Sequence, residues 1–548
     1  MLTILPYLAL ASQSSPSIDI DPLLLVEAAE VWSVIGRPNN PVWPGWDARS
    51  TPILIYFPGK QDVLVNHPKP PRGFVRYSGR IRCPIGPIYV RNGQTIMDLD
   101  GQNTSTEING VESLVVADTL SIRRQWVEGM AGAIAAAPND VHKIVTSNLF
   151  PDPYGQMTTF AHEAFHVYQT KRAPGKGPNE MELASYPSLS VENNVGLALE
   201  SDFLAAAVTA TTEREVRDNA AKWLAVRDWR RSFIGKEASD YEDAGEFIEG
   251  TAVYVQYRIL QAFEHSEPTP QMWLVQGFHG FSDLSVVRND LIQRMRGMMS
   301  GSTGVNGDLY GASPVRFRLY FSGMAIGALL DRLGSDWHDA IFKPGVSLTG
   351  LVRAAIRPTV DDSRSALEAV KATPRFIDLT AQKTKLAEDG RAYCAREIAK
   401  FDSAPGQLVI DYSLLKDSDV ALRFTPFGIL RIDNDKTLFR LIPIEGHVGK
   451  TSFFEENALP VLKDAKLKRI EFQLTAAIDP KAIAAQIGSP DLEDHGFKAD
   501  RMLLPGAELR NVRGTLRLAG GTLTIRLEPY SSSALAVNEN GATVLPAR

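Results

Sequence analysis

The chain has 548 residues, 44% of them hydrophobic and 22% charged, with a formal net charge of −6. That length exceeds what one core supports, so two or three domains are expected, and the acidic balance argues against a nucleic-acid or anionic-membrane binder. The only cysteines, Cys83 and Cys394, lie far apart in sequence, which excludes a disulfide framework and a thiolate metal site, and no run reaches the roughly 18 apolar residues of a transmembrane segment.

Residues 1–15 read as a secretory signal: an apolar run from Leu2 to Ala11 precedes Ser12-Gln13-Ser14-Ser15, without the usual positive start. This places the protein as secreted or periplasmic, and otherwise as cytoplasmic. Residues 16–150 predict a mixed α/β part. A helix over 18–40 leads into a Pro/Trp-rich loop, Pro41-Val42-Trp43-Pro44-Gly45-Trp46. Strands follow over 51–57, 62–65, 86–91 and 113–116, then a helix over 121–137.

Residues 151–375 are predicted to be helical, with segments over 190–210, 213–233, 243–262, 286–299 and 318–333. A helical linker spans 376–403. From 404 to 548 the pattern changes to alternation, over 408–412, 421–424, 469–474, 514–518 and 523–527. The last two runs flank Ala519-Gly520-Gly521-Thr522, a hairpin signal, so this part is expected to be a mostly antiparallel β domain. The basic cluster Lys171, Arg172 and Lys176 reads as a solvated connection.

Within the helical part stands His162-Glu163-Ala164-Phe165-His166, an HExxH. On an α-helix a four-residue step brings both imidazoles to one face, about 6 Å apart. Two neutral imidazoles there can take two corners of a tetrahedral zinc site. Glu163 can then act as general base on a water in the open position. The flanks are helical and amphipathic through Phe160, Ala164, Phe165, Val167 and Tyr168, with Thr158 or Thr159 as expected cap and a stop by Ala173-Pro174-Gly175. The bland alternative is a pair of satisfied histidines in a core helix.

A third ligand must be a carboxylate or imidazole. Glu242, Glu246 and Glu249 recur at i, i+4 and i+7, along one face of a helix that is apolar over much of its girth. Like charges at that spacing need a cation or exposure. Glu200 is a rival, on the otherwise apolar stretch Val195-Gly196-Leu197-Ala198-Leu199-Glu200. For oxyanion stabilisation Tyr320 is the first candidate, next to the small residues Ser322 and Gly323, and Tyr310 the second. Tyr320 is expected to open its helix. Arg316 or Arg318 could bind a substrate carboxylate, although a surface ion pair is the plainer fate of each. His67, on a loop beside the sheet, could line a cleft or be structural.

HExxH with a downstream Glu249-Gly250-Thr251-Ala252 resembles the gluzincin zinc metallopeptidases, whose third ligand is a glutamate on a later helix. More closely, HEAFHVYQ followed by EGTAVY resembles a group of bacterial HExxH proteins. The resemblance covers residues 110–340 and implies Glu249 as ligand with His162 and His166, and Glu163 as base. Ile248 stands where the family pattern has Asn, and a helical insertion must fold back between His166 and Glu249.

The expectation is therefore α+β: a zincin-like metallopeptidase domain, with a small sheet, the HExxH helix and a large helical part, followed by the β domain. The expected activity is Zn2+-dependent hydrolysis of a peptide or protein substrate. A non-catalytic metallopeptidase-like binding protein and a zinc hydrolase acting on a non-peptide substrate are the alternatives.

Overall fold

Alternation of β-branched and aromatic residues between positions 53 and 117 produces a six-stranded sheet. Its strands are β1 (Ile53–Phe57), β2 (Gln61–Val65), β3 (Val75–Arg76), β4 (Ile88–Asn92), β5 (Thr104–Ile108) and β6 (Val111–Ala117). The computed structural model describes residues 16–529 apart from 95, 97, 98, 100, 130, 132–134, 136–149, 302–312 and 425–427. The predicted signal at 1–15, Tyr310 and the end of the predicted 121–137 helix lie outside the described residues. Strand order is β3-β4-β2-β1-β6-β5, antiparallel except for β1 beside β6. The period of two sorts the side chains. Ile53, Ile55, Val63, Val65, Leu114 and Val116 join the main core, whereas Leu54, Tyr56, Leu64, Val115 and Ala117 form a second small core on the other face. β3 and β5 carry too few apolar residues to be read from sequence.

Helix α1 (Leu23–Ile35) comes before the sheet and α2 (Thr119–Gly129) after it; α3 (Pro153–Arg172) carries the HExxH. The cap of α3 differs from expectation. Asp152 accepts from the Gly155 amide with Pro153 at the first helical position, while the Thr158 and Thr159 hydroxyls bond back to the Gly155 carbonyl. The Pro/Trp-rich loop sends its tryptophan side chains into the core. Trp43 and Trp46 are buried and set their rings 4.5 and 5.2 Å from Phe165, bracing the back of α3.

α1 carries a buried carboxyl, Glu27, near Asp21 and the capping Asp152. Burial, with repulsion from those two acids, raises its pKa from 4.5 to about 8. The folded chain therefore binds a proton that the unfolded chain releases. The stability this supplies is complete below the unfolded value and is lost as pH rises through the folded one. Glu27→Gln is expected to stabilise the protein by about 2–3 kcal/mol near pH 7.5, with little effect at pH 4.5. Urea unfolding of both proteins across that range checks it, and parallel pH profiles would refute it.

The helical part contains α4 (Val191–Thr209), α5 (Glu213–Gly245), a single π turn (Glu246–Gly250), α6 (Thr251–Phe263), α7 (Ser285–Ser300) and α8 (Ser313–Arg332). α9 (Leu348–Ile356), α10 (Val360–Lys371) and α11 (Pro374–Asp402) complete it. α5 runs past its predicted end near 233: Gly235 takes a φ of 82°, kinks the helix and lets it continue. None of the helices in the described residues is long and apolar enough to cross a membrane. Lys171, Arg172, Pro174 and Gly175 are exposed, as a solvated connection predicts, but the segment is anchored at two points. Arg172 pairs with Asp339, and Lys176 Nζ donates to the carbonyls of Ile341, Lys343 and Val346.

From Gly406 to Leu527 an eleven-stranded, mostly antiparallel sheet curls around its own core. The Gly520-Gly521 turn joins Ala507–Ala519 to Thr522–Leu527, as the hairpin signal predicts. The last strand also pairs in parallel with Gly406–Asp411. Leu183, Tyr186, Tyr241, Val315 and Leu319 of the helical part share a core with Leu408, Ile410, Phe439 and Phe472, so the two parts are packed together. Neither Cys83 nor Cys394 takes part in a disulfide.

Candidate metal centre

α3 presents His162 and His166 one turn apart, with their Nε2 atoms 3.0 Å from each other. The Oε2 atom of Glu249 lies 3.5 Å from each Nε2. Among the described residues this trio is the group whose ligand atoms could hold a metal ion. Bonds of 2.0–2.1 Å in a tetrahedron separate ligand atoms by about 3.4 Å. The triangle in the structure has edges of 3.0, 3.5 and 3.5 Å. It fits an ion with two imidazoles and one carboxylate after a few tenths of an ångström of opening at the histidines.

Glu249 reaches this position because its helix is not α-helical there. In an α-helix Glu242, Glu246 and Glu249 would share one face, as the spacing predicts. The π turn Glu246–Gly250 widens the helix and swings Glu249 away from the other two. Two glycines permit the turn to lie against α8. A Cβ on Gly250 would meet the Gly323 Cα at 2.6 Å, and one on Gly323 would meet the Glu246 carbonyl oxygen at 2.7 Å. Ser322 joins the contact by donating to Glu246 Oε1 at 2.6 Å.

The rival ligands are occupied elsewhere. Glu200 binds Arg227 at 3.0 Å and Arg230 at 2.5 Å, and Glu246 binds Arg227 at 2.5 Å. Glu242 binds Arg230 at 2.6 Å and Arg231 at 3.1 Å. Arg227, Arg230 and the three glutamates are all at most 2% exposed. The cation that the acidic face requires is thus arginine. For Glu242, burial would raise the pKa, but these arginines hold it well below the carboxylate range.

Gln169, which sequence reasoning missed, ties the two halves of the centre together. Its Nε2 donates to the carbonyls of Phe247 (2.9 Å) and Ile248 (3.0 Å) and to Thr251 Oγ1 (2.8 Å). Thr251 in turn donates to the Phe247 carbonyl, so all three partners are acceptors. The Gln169 oxygen must then be the atom 2.7 Å from His166 Nδ1, which must carry hydrogen. That leaves Nε2 of the neutral ring as the lone pair facing the centre. The available signal was position alone: Gln169 sits three residues past His166, on the same helical face. Gln169→Leu is expected to weaken metal binding by about 10–100-fold, measured by competition with a chelator. Wild-type affinity would remove Gln169 from the site.

Electrostatics favour a cation here. Burial alone would lower the His166 pKa, but Glu249, Glu163 and Gln169 together raise it to about 9. Burial would likewise raise that of Glu249, yet both imidazoles hold it well below its ordinary range. The Nδ1 atom of His162 is buried and meets no partner among the described residues.

Tyr320 lies within α8 rather than opening it. Its ring stacks on His162 with centroids 6.4 Å apart, and its hydroxyl is 3.4 Å from Arg316 Nη2. Burial, then the Glu249 carboxylate, pushes its pKa up, so it stays a proton donor. Arg316 Nη2 also donates to Glu249 Oε1 at 3.1 Å. Arg318 makes no surface ion pair among the described residues: it is buried and donates from Nε to the Met298 carbonyl. His67 is structural, with Nε2 on the Ile108 carbonyl and Nδ1 accepting from the Lys69 amide. Comparisons with known protein families, with curated proteins and with solved structures found no match for this chain.

Proposed function

We propose that the chain is a zinc-dependent hydrolase, a metallopeptidase of gluzincin type on a zincin-like domain, with His162, His166 and Glu249 holding the ion. The observation that carries the reading is the convergence of three ligand atoms from two elements, with Glu163 on the same helix. Two nitrogens and one oxygen suit Zn2+ better than Ca2+ or Mg2+, which prefer oxygen. A bound zinc would supply Lewis acidity, making water nucleophilic at neutral pH and polarising the scissile carbonyl. Glu163 is the general base of this reading: its carboxylate would accept a proton from the attacking water and return it to the leaving amine. The Tyr320 hydroxyl donates to the oxyanion as it develops. Gln169 keeps the His166 lone pair directed at the centre, and the Trp43 and Trp46 loop holds α3 in place behind it.

The purified full chain should carry about one equivalent of zinc, and a peptide-library cleavage activity should vanish with chelator and return with zinc. Less than about half an equivalent after metal-replete purification would overturn the metal assignment. Zinc at stoichiometry without peptide cleavage would favour the binding-protein or non-peptide alternatives.

A further inference from the structure

We propose that Glu180 and Arg316 form a positioning clamp on the third ligand, and that the C-terminal β domain seats this clamp. The proposal rests on the metal reading above and extends it to residues outside the ligand set.

The two oxygens of Glu249 have different partners. Oε2 faces both imidazoles at 3.5 Å, while Oε1 accepts from Arg316 Nη2 at 3.1 Å. A metal-bound carboxylate can use one oxygen or two. With a guanidinium on Oε1, Glu249 is held to the use of Oε2, with the carboxylate plane fixed. Arg316 is fixed in its turn: its Nη1 pairs with Glu180 Oε1, and Tyr241 donates to Glu180 Oε2 at 3.2 Å. The Arg316 and Glu180 side chains are 23% and 33% exposed, so their attraction is only partly screened. With both faces of its fork engaged, Arg316 is spent on positioning rather than free to receive a substrate carboxylate.

Glu180 opens a short 3-10 turn, Glu180–Ala184, that the β domain grips directly. Thr437 Oγ1 donates to the Ala184 carbonyl at 2.9 Å, and Arg431 Nη1 donates to that of Ser185. Leu183 and Tyr186 on either side are buried in the core shared with the β domain. An unbroken set of contacts therefore runs from Arg431 and Thr437, through the turn, to Glu180, Arg316 and Glu249. A shift of the β domain relative to the helices would loosen the third ligand before it disturbed the two histidines.

The test uses the full-length protein, with zinc affinity read by chelator competition and ligand geometry by the visible spectrum of the cobalt-loaded form. Arg316→Ala and Glu180→Ala should each weaken zinc by about 10–100-fold and alter the cobalt spectrum, with Arg316→Lys restoring part of both. The Arg431→Ala/Thr437→Ala pair, outside the ligand set, should weaken zinc by about 2–30-fold with the far-UV circular dichroism unchanged. Wild-type affinity and spectrum in Arg316→Ala would overturn the clamp while leaving the metal site standing. An effect of Arg316→Ala without any effect of the β-domain pair would overturn the seating role. Loss of circular dichroism in every variant, Arg316→Lys included, would reassign the pair to general stability and overturn the clamp. Failure of the wild type to bind zinc would overturn clamp and metal reading together.

Discussion

Glu163→Gln is expected to retain one zinc per chain at close to wild-type affinity and to lose about 10²–10⁴-fold in kcat. The substitution keeps the shape of the side chain and removes only its ability to accept a proton. Glu163 is not among the three converging ligands, so the ion should not register the change directly. It does contribute to the field that raises the His166 pKa. The amide should ease deprotonation of that imidazole while weakening the attraction for a cation, two opposed effects that leave affinity close to wild type. Peptide turnover and zinc content measured on the same preparation separate the outcomes. Full turnover with bound zinc would exclude Glu163 as the base, and loss of zinc would make it part of the metal shell.

The second large effect distinguishes two glutamates that look alike in sequence. Glu249→Ala should lose stoichiometric zinc and remain folded, because its side chain is 15% exposed and its loss leaves the partly exposed Arg316 to solvent and Glu180. Glu200→Ala should instead cost about 3–5 kcal/mol of stability, since it removes the carboxylate that Arg227 and Arg230 share and leaves each, at 1% exposed, with one glutamate partner, Glu246 and Glu242 respectively. Thermal unfolding and zinc titration of the two variants should thus give opposite patterns. A Glu200 variant that unfolds like the wild type and loses zinc would return Glu200 to the ligand set.

The contrast also shows what could be read from the letters. His162 and His166 were legible because four residues on a helix are a fixed geometry. Glu249 was singled out by resemblance, and nothing local separates it from Glu246 or Glu200. What separates them is the location of Arg227 and Arg230, which reach these carboxylates only once α4 and α5 pack against each other. Gly323 stood out as a small residue beside Tyr320, but nothing in the sequence marked Gly250 as its counterpart across a close contact. The Trp43 segment was legible as a Pro/Trp-rich loop, but not that its tryptophans form part of the floor under α3. In the β domain the alternation located several strands. Their order could not be read, because the parallel pairing of Gly406–Asp411 with Thr522–Leu527 joins the two ends of the domain.

The π turn at Glu246–Gly250 acts as a phase adaptor. Upstream, the helix is keyed to the buried arginines through Glu242 and Glu246; downstream, it is keyed to the core through Ala252, Tyr254 and Val255. Those two keys are out of step by the residue that the wider turn absorbs, and Glu249 sits in the offset. The role we propose for it as a ligand therefore depends on residue count as well as residue identity. Substitution at Glu249 removes the ligand, but so would deletion of one residue beside it, with every letter of HExxH and the glutamate itself still present. Chains that share the letters but differ by one in this interval belong to a different geometry.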